Sequence, residues 1–178
     1  QVENLHKQQR SMKKRTIAII AGGDSSELPV SLRSAQGIYS FIDKERYNLY
    51  IVEMQGKRWE VVLPTGEKTP IDRNDFSFTE NGEKKNFDFA YITIHGTPGE
   101  NGILQGYFDL IGMPYSSCNV LVSAMTFNKF TCNQYLKGFG ICVKDSQPKA
   151  VMTSYNLLNG THTAERRDLS EDILRCEF

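Results

Sequence analysis

Two stretches of this sequence share one plan, and together they leave few folds open. Thr16 to Ala21, TIAIIA, is a short β-branched apolar run that ends on Gly22-Gly23-Asp24-Ser25-Ser26-Glu27. Asn86 to Gln105, NFDFAYITIHGTPGENGILQ, repeats the pattern. It has an apolar and aromatic run from Phe87 to Ile94, then a polar loop from His95 to Gly102. Runs of this length suit buried strands. Loops so rich in glycine and proline cannot continue them. Helical spacing follows each loop. Pro29 suits a first helical turn, with Leu32, Ala35, Tyr39 and Ile42 along one side of a helix ending near Ile42; Ile103, Leu104, Phe108 and Ile111 follow the second loop. Strand, tight loop and helix, twice over, is the building unit of an open α/β sheet. Both loops are then expected to open on the carboxyl edge of that sheet, where such folds bind ligands.

The rest of the chain fills in the order. Tyr47 to Met54 reads as a second strand, and Arg58 to Leu63 as its hairpin arm across a turn at Gln55-Gly56-Lys57. Pro64 to Lys68 is another turn, and residues 72–86 look polar and loop-like, with a turn at Asn81-Gly82. Gly112 to Ser116 reads as a short fourth strand. Asn119 suits the N-cap of a helix to about Lys137, stopped by Gly138. The order β-α-β-(hairpin)-β-α-β-α predicts an α/β, Rossmann-like fold with an open, mainly parallel sheet over residues 16–141. Residues 1–15 are polar and are expected to form a disordered leader, with Met12 as a natural start of translation. In residues 142–178 the composition predicts an appended tail: a strand at Lys149 to Tyr155, a turn-rich stretch at Asn156 to Thr163 and a short helix at Asp168 to Arg175. Such a piece is too small for a core of its own.

Charge and composition narrow the function classes. The 178 residues carry 21 basic and 21 acidic side chains, so nothing electrostatic favours nucleic acid or an anionic membrane. No apolar run approaches the roughly 20 residues a spanning helix needs. The four cysteines, Cys118, Cys132, Cys142 and Cys176, form no C-x-x-C pair, which argues against a zinc site and for reduced, cytoplasmic thiols.

The candidate site residues lie in and beside the two loops. Gly22-Gly23 belongs to no dinucleotide fingerprint or Walker loop. Glu27 falls where a helix N-terminus favours an ionised carboxylate; it can hold an ammonium group or serve only as a helix N-terminal acid. His95 is the first residue past its strand and can either reach a ligand or simply end the strand. Gly96 beside it lets backbone run close to a partner. Ser31 is expected to cap the helix, with ligand contact as the alternative. Glu100 is placed to orient the His95 imidazole. Lys129, on the last helix, reads by itself as a solvated surface lysine.

Taken in order and spacing, three motifs resemble the amino-terminal domain of D-alanine–D-alanine ligases, an ATP-grasp family of peptidoglycan synthesis. They are IAIIAGGDSSELPVSLRSA at 17–35, ITIHGTPGENGILQGYFDLIGMPYSS at 92–117 and SAMTFNK at 123–129. The resemblance implies a pre-ATP-grasp domain over residues 16–141. It implies that Glu27 holds the amino group of the first D-alanine, that His95 lies beside the reacting carboxyl group, and that Ser31, Gly96 and Glu100 surround this substrate. It implies Lys129 as a contact to ATP phosphate. ATP and magnesium are the implied cofactors, with most of their sites in two later lobes that are absent here, so the chain alone is expected to be inactive. A cytoplasmic location and a homodimer are further expectations. Pro29 departs from the acidic residue usual in the family.

After Ile141 the sequence changes kind. Ala150 to Asn156, the Asn159-Gly160 turn and Asp168 to Cys176 resemble a stretch of family-three glycoside hydrolases that precedes the nucleophilic aspartate. A seam near Tyr135 to Phe139 is expected, making the chain a chimera. Two rival readings stand beside the ligase fragment: a carbohydrate-active fragment and a non-catalytic α/β ligand-binding module.

Overall fold

An interior strand, β1 (Arg15–Gly22), is buried on both faces from Ala18 onward, and the architecture follows from that. In the structure, a computed structural model, residues 14–141 are described, with the backbone of residues 157–158 and 161–162. Successive side chains of a strand point to opposite faces. Ile19 and Ala21 therefore meet the first helix, α1 (Leu28–Phe41), through Leu32, Ala35 and Ile38. Ala18 and Ile20 turn the other way, into a larger core with Val52, Met54, Leu104 and Phe108. A strand buried on both sides reads as a continuous apolar run, which is why TIAIIA shows no alternation.

Five strands form the main sheet, in the order β4 (Lys68–Pro70), β3 (Arg58–Val62), β2 (Tyr47–Gln55), β1 and β7 (Phe89–Ile92). The heart of it is parallel: β1 pairs with β2 on one side and with β7 on the other. The hairpin arm β3 and then β4 extend the sheet antiparallel beyond β2. The α/β class and the parallel core follow the expected plan. Pro29 stands in the first turn of α1, as its fixed φ favours.

Three local expectations are corrected. Residues 72–86 are not plain loop: β5 (Phe78–Glu80) and β6 (Glu83–Lys85) make a hairpin, with Asn81 and Gly82 at φ 54° and 79°. Positive φ at both turn residues matches the twist of the flanking strands. Burial holds the segment in place, because Phe76 and Phe78 are 0% and 2% exposed. The ring of Phe76 packs edge-on to Trp59, Tyr107 and Phe108, and Phe78 stacks on Phe87. Glu80 accepts from the Tyr50 hydroxyl and pairs with Lys85.

The fourth strand contracts to one parallel bridge between Ala90 and Tyr115. Ala90 N–H donates to Pro114 C=O at 2.9 Å and Ser116 N–H to Ala90 C=O at 3.0 Å. Pro114 has no N–H with which to extend the ladder. The long last helix is two helices, α3 (Val120–Phe127) and α4 (Lys129–Gly138), following α2 (Ile103–Leu110). Asn119 caps α3 by accepting from Val122 N–H. Asn128 interrupts with extended backbone and accepts from Thr131 N–H at 3.0 Å, starting a new helix.

The chain divides into two units between Tyr135 and Leu136. Past residue 141, the described part of the second unit is the pair β8 (Leu157–Leu158) and β9 (Thr161–His162), joined antiparallel. The predicted strand at 149–155, the helix at 168–175 and most of the leader lie outside the described residues. Arg15, placed in the leader by sequence, opens β1 instead.

Candidate functional site

Because β1 and β7 are parallel neighbours, the loops that follow them leave the sheet side by side. The first loop starts with Gly22 and Gly23 at φ 108° and 94°. A Cβ on Gly22 would stand 2.2 Å from the Met54 carbonyl oxygen, so only glycine lets the chain turn here against β2. Asp24 then reaches sideways, its carboxylate accepting from Gly56 N–H at 2.7 Å.

The two loops are tied together directly. Asp24 N–H donates to Thr97 C=O at 3.2 Å, and the Ser25 hydroxyl donates to His95 C=O at 3.1 Å. Gly96, at φ 73°, runs so close that a Cβ there would lie 3.4 Å from that of Ser25. With both backbones fixed, Glu27 and His95 face each other: His95 Nδ1 lies 3.9 Å from Glu27 Oε2. Both side chains remain open to solvent, 59% exposed for Glu27 and 42% for His95. Glu27 occupies the N-cap position of α1 yet makes no side-chain cap bond, so its carboxylate is not spent on the helix. An imidazole and a carboxylate at this spacing stand side by side, open to solvent, at the carboxyl edge of the sheet.

Three other candidates take different places. Ser31 neither caps α1 nor reaches solvent beside Glu27 and His95. It is 0% exposed, and its hydroxyl accepts from Gly22 N–H at 3.0 Å while donating to Thr93 C=O at 2.9 Å. A buried hydroxyl engaged in both directions has no hydrogen left for a ligand. Glu100 does not orient the His95 ring. Its Oε2 accepts from Gly96 N–H at 2.7 Å, and its own N–H donates to Gly96 C=O at 2.8 Å. Loop closure therefore uses the Gly96 amide. Lys129, the first residue of α4, is exposed.

Two supporting residues escaped the sequence reading. Thr93 donates through its hydroxyl to Ile20 C=O at 2.8 Å. Gln105 is fully buried and donates to Gly99 C=O and to Ser117 Oγ. No local pattern marks either one, since each acts on backbone distant in sequence or across a loop.

Among the described residues, no three His, Cys, Asp or Glu side chains converge as metal ligands would. Among the same residues, no helix is long and apolar enough to cross a membrane.

Comparison with known proteins matches residues 16–118 to a family model described as the D-ala D-ala ligase N-terminus. A D-alanine–D-alanine ligase of Phocaeicola vulgatus is 90% identical over 133 residues, covering 75% of this chain and 41% of the relative. One from Bacteroides fragilis is 71% identical over the same shares. Among solved structures, D-alanyl-alanine synthetase A from Vibrio cholerae superposes with a TM-score of 0.65 at 32% identity, covering 74% of this chain and 39% of that one. The Bacillus anthracis ligase complexed with ATP gives 0.54 at 28% identity, over 71% and 38%. The chain thus spans about 41% of the length of the curated relatives it matches.

Proposed function

The chain belongs to the D-ala D-ala ligase N-terminus family, and from that membership we propose that its first unit is the substrate domain of a ligase joining two D-alanines. The observation that carries the proposal is the convergence of Glu27 and His95, 3.9 Å apart, at the carboxyl edge of the parallel strands. In this reading the Glu27 carboxylate receives the ammonium group of the first D-alanine. That interaction is a charge-assisted hydrogen bond, roughly twice as strong as a neutral one. His95 then stands beside the carboxylate of the same molecule. Its N–H offsets negative charge developing there while the carboxylate is activated.

ATP would supply the phosphoryl group that activates the carboxylate. The amine of a second D-alanine would then attack the acyl carbon and phosphate would leave. Lys129 is the candidate phosphate contact from this domain, an exposed cation at the start of α4. Ser31, Gly96 and Glu100 shape the site rather than touch the substrate. Magnesium belongs to the whole enzyme's reaction in this proposal, held by residues other than those described. A cytoplasmic location is part of the same reading. So is a homodimer, favoured by apolar side chains left bare on the helices: Leu110, Leu121 and Phe130 are 84%, 72% and 73% exposed. None of the matches described above is to a glycoside hydrolase, and the proposal draws nothing from residues 142–178.

The test is a D-alanine titration of the ¹⁵N-labelled chain followed by NMR. Shifts confined to the Gly22–Glu27 and His95–Gly102 loops, and absent in Glu27→Gln, support the proposal. Unchanged spectra at tens of millimolar D-alanine would refute it.

A further inference from the structure

We infer that Ser31 is a positioning residue for the Glu27–His95 pair, acting through a buried hydroxyl that touches neither side chain. Three of the bonds at this residue carry the argument, beside longer contacts of the Thr93 hydroxyl with Ser31 Oγ at 3.5 Å and Ser31 C=O at 3.4 Å. Its backbone N–H donates to Glu27 C=O at 3.0 Å, fixing the residue at the head of α1. Its Oγ accepts from Gly22 N–H at 3.0 Å, at the last residue of β1. The same Oγ donates to Thr93 C=O at 2.9 Å, one residue past β7 and two before His95. Ser31 therefore connects the start of the helix carrying Glu27 to the ends of both strands that launch the loops. Thr93 is held in turn, with its N–H and its hydroxyl both donating to Ile20 C=O, at 2.9 and 2.8 Å.

The chemistry requires a hydroxyl. Gly22 needs an acceptor and the Thr93 carbonyl needs a donor, and one Oγ–H supplies both at a point with 0% exposure. Removing it leaves a buried N–H and a buried C=O without partners, and water has no access to replace it. Relief comes from letting the head of α1 and the end of β7 move apart, and that motion separates Glu27 from His95. The Ser25 bond to His95 C=O is a second tie at the same seam, but it is only part-buried and yields to solvent more readily.

The placement of the two side chains does not depend on the proposed ligand; its consequence for D-alanine does rest on the proposed function. The experiment keeps these apart. Proton NOEs between the His95 ring and the Glu27 side chain are measured in the unliganded chain, in Ser31→Ala, and in Ser123→Ala as a control. Ser123 is 5% exposed, and its hydroxyl donates to Cys118 C=O, not to either of the two loops. Each protein is then titrated with D-alanine. The expected result is an NOE present in the parent and the control, lost or weakened at least about threefold in Ser31→Ala, with D-alanine affinity falling about tenfold in Ser31→Ala alone.

An NOE that survives in Ser31→Ala at parental intensity overturns the inference. So does an equal loss in the Ser123 control, which would mark the effect as general loosening. An NOE pattern as expected with no D-alanine response in any protein supports the positioning role and refutes the ligand reading. Should Ser31→Ala not fold, Ser31→Cys keeps the volume while weakening both bonds, and is read by the same criteria.

Discussion

His95 Nδ1 stands 3.9 Å from the Glu27 carboxylate, although neither residue lies in a helix or strand that contacts the other. The pair exists because β1 and β7 are adjacent and parallel, and because Gly22, Gly23 and Gly96 let two backbones pass without side chains between them. Exposed pairs of this kind contribute about 0–1 kcal/mol to stability. Replacing Glu27 by Gln is therefore expected to leave the thermal midpoint within about 2–4 °C of the parent while abolishing D-alanine binding. Calorimetric titration and a melt on the same sample check both halves. A large drop in midpoint would assign Glu27 a structural role instead.

Gly22 admits no side chain. An added Cβ would meet the Met54 carbonyl oxygen at 2.2 Å, and φ there is 108°. Gly22→Ala is expected to cost at least about 1–3 kcal/mol from the backbone conformation alone, with the collision in addition. Urea unfolding measures it. Gly56, with open space around its Cβ position, is the comparison: Gly56→Ala meets no clash and carries only the strain of φ 53°.

Acid sensitivity should trace in part to the β5–β6 hairpin. The Lys85 ammonium, and secondarily the Tyr50 hydroxyl, hold the Glu80 carboxyl below its ordinary range, against the opposing effect of burial. A carboxyl with a lowered folded-state pKa stabilises the fold above its unfolded value, and that contribution disappears as pH falls through the lowered value. Glu80→Gln is expected to be less stable than the parent at pH 7 by about 1.5–3 kcal/mol, the range for hydrogen bonds to charged groups. The difference should shrink steadily below about pH 4. Chemical melts at a series of pH values would show the two curves converging on the acid side. Parallel curves would mean the pair contributes nothing.

Removal of residues 142–178 is expected to leave the α/β unit folded. The two apolar clusters that sandwich the main sheet are complete within residues 18–115, and the division between units falls at Tyr135. Circular dichroism melts of both lengths should each show one cooperative transition with midpoints within a few degrees. Loss of cooperativity in the shorter chain would place the tail in the core.

Much of this molecule was legible in its sequence. TIAIIA had to be a buried strand, because no alternation relieved its apolar character and a glycine loop closed it; the run before His95 yields a shorter strand, Phe89–Ile92, in which Ala90 is buried and Tyr91 is exposed. The class of fold, the shared edge of the two loops and the facing of Glu27 and His95 all follow from strand, loop and helix in that order. The helix break at Asn128 was also written locally, in an asparagine able to cap, but it lay within a continuous helical pattern and could not be told from a tolerated interior residue. Tertiary structure alone decided the rest. Phe76 and Phe78 sit in a polar stretch, and only the presence of Trp59, Phe87, Tyr107 and Phe108 around them turns that stretch into a hairpin over the core. Ser31 looked like a cap because serines near helix starts usually are. Its hydroxyl went instead to Gly22 and Thr93, whose backbone groups would otherwise be buried without partners. Glu100 likewise chose the Gly96 amide over the His95 ring. Hydrogen-bond partners distant in the chain are set by which backbone groups the fold leaves unsatisfied, and that accounting closes only once the strands have come together.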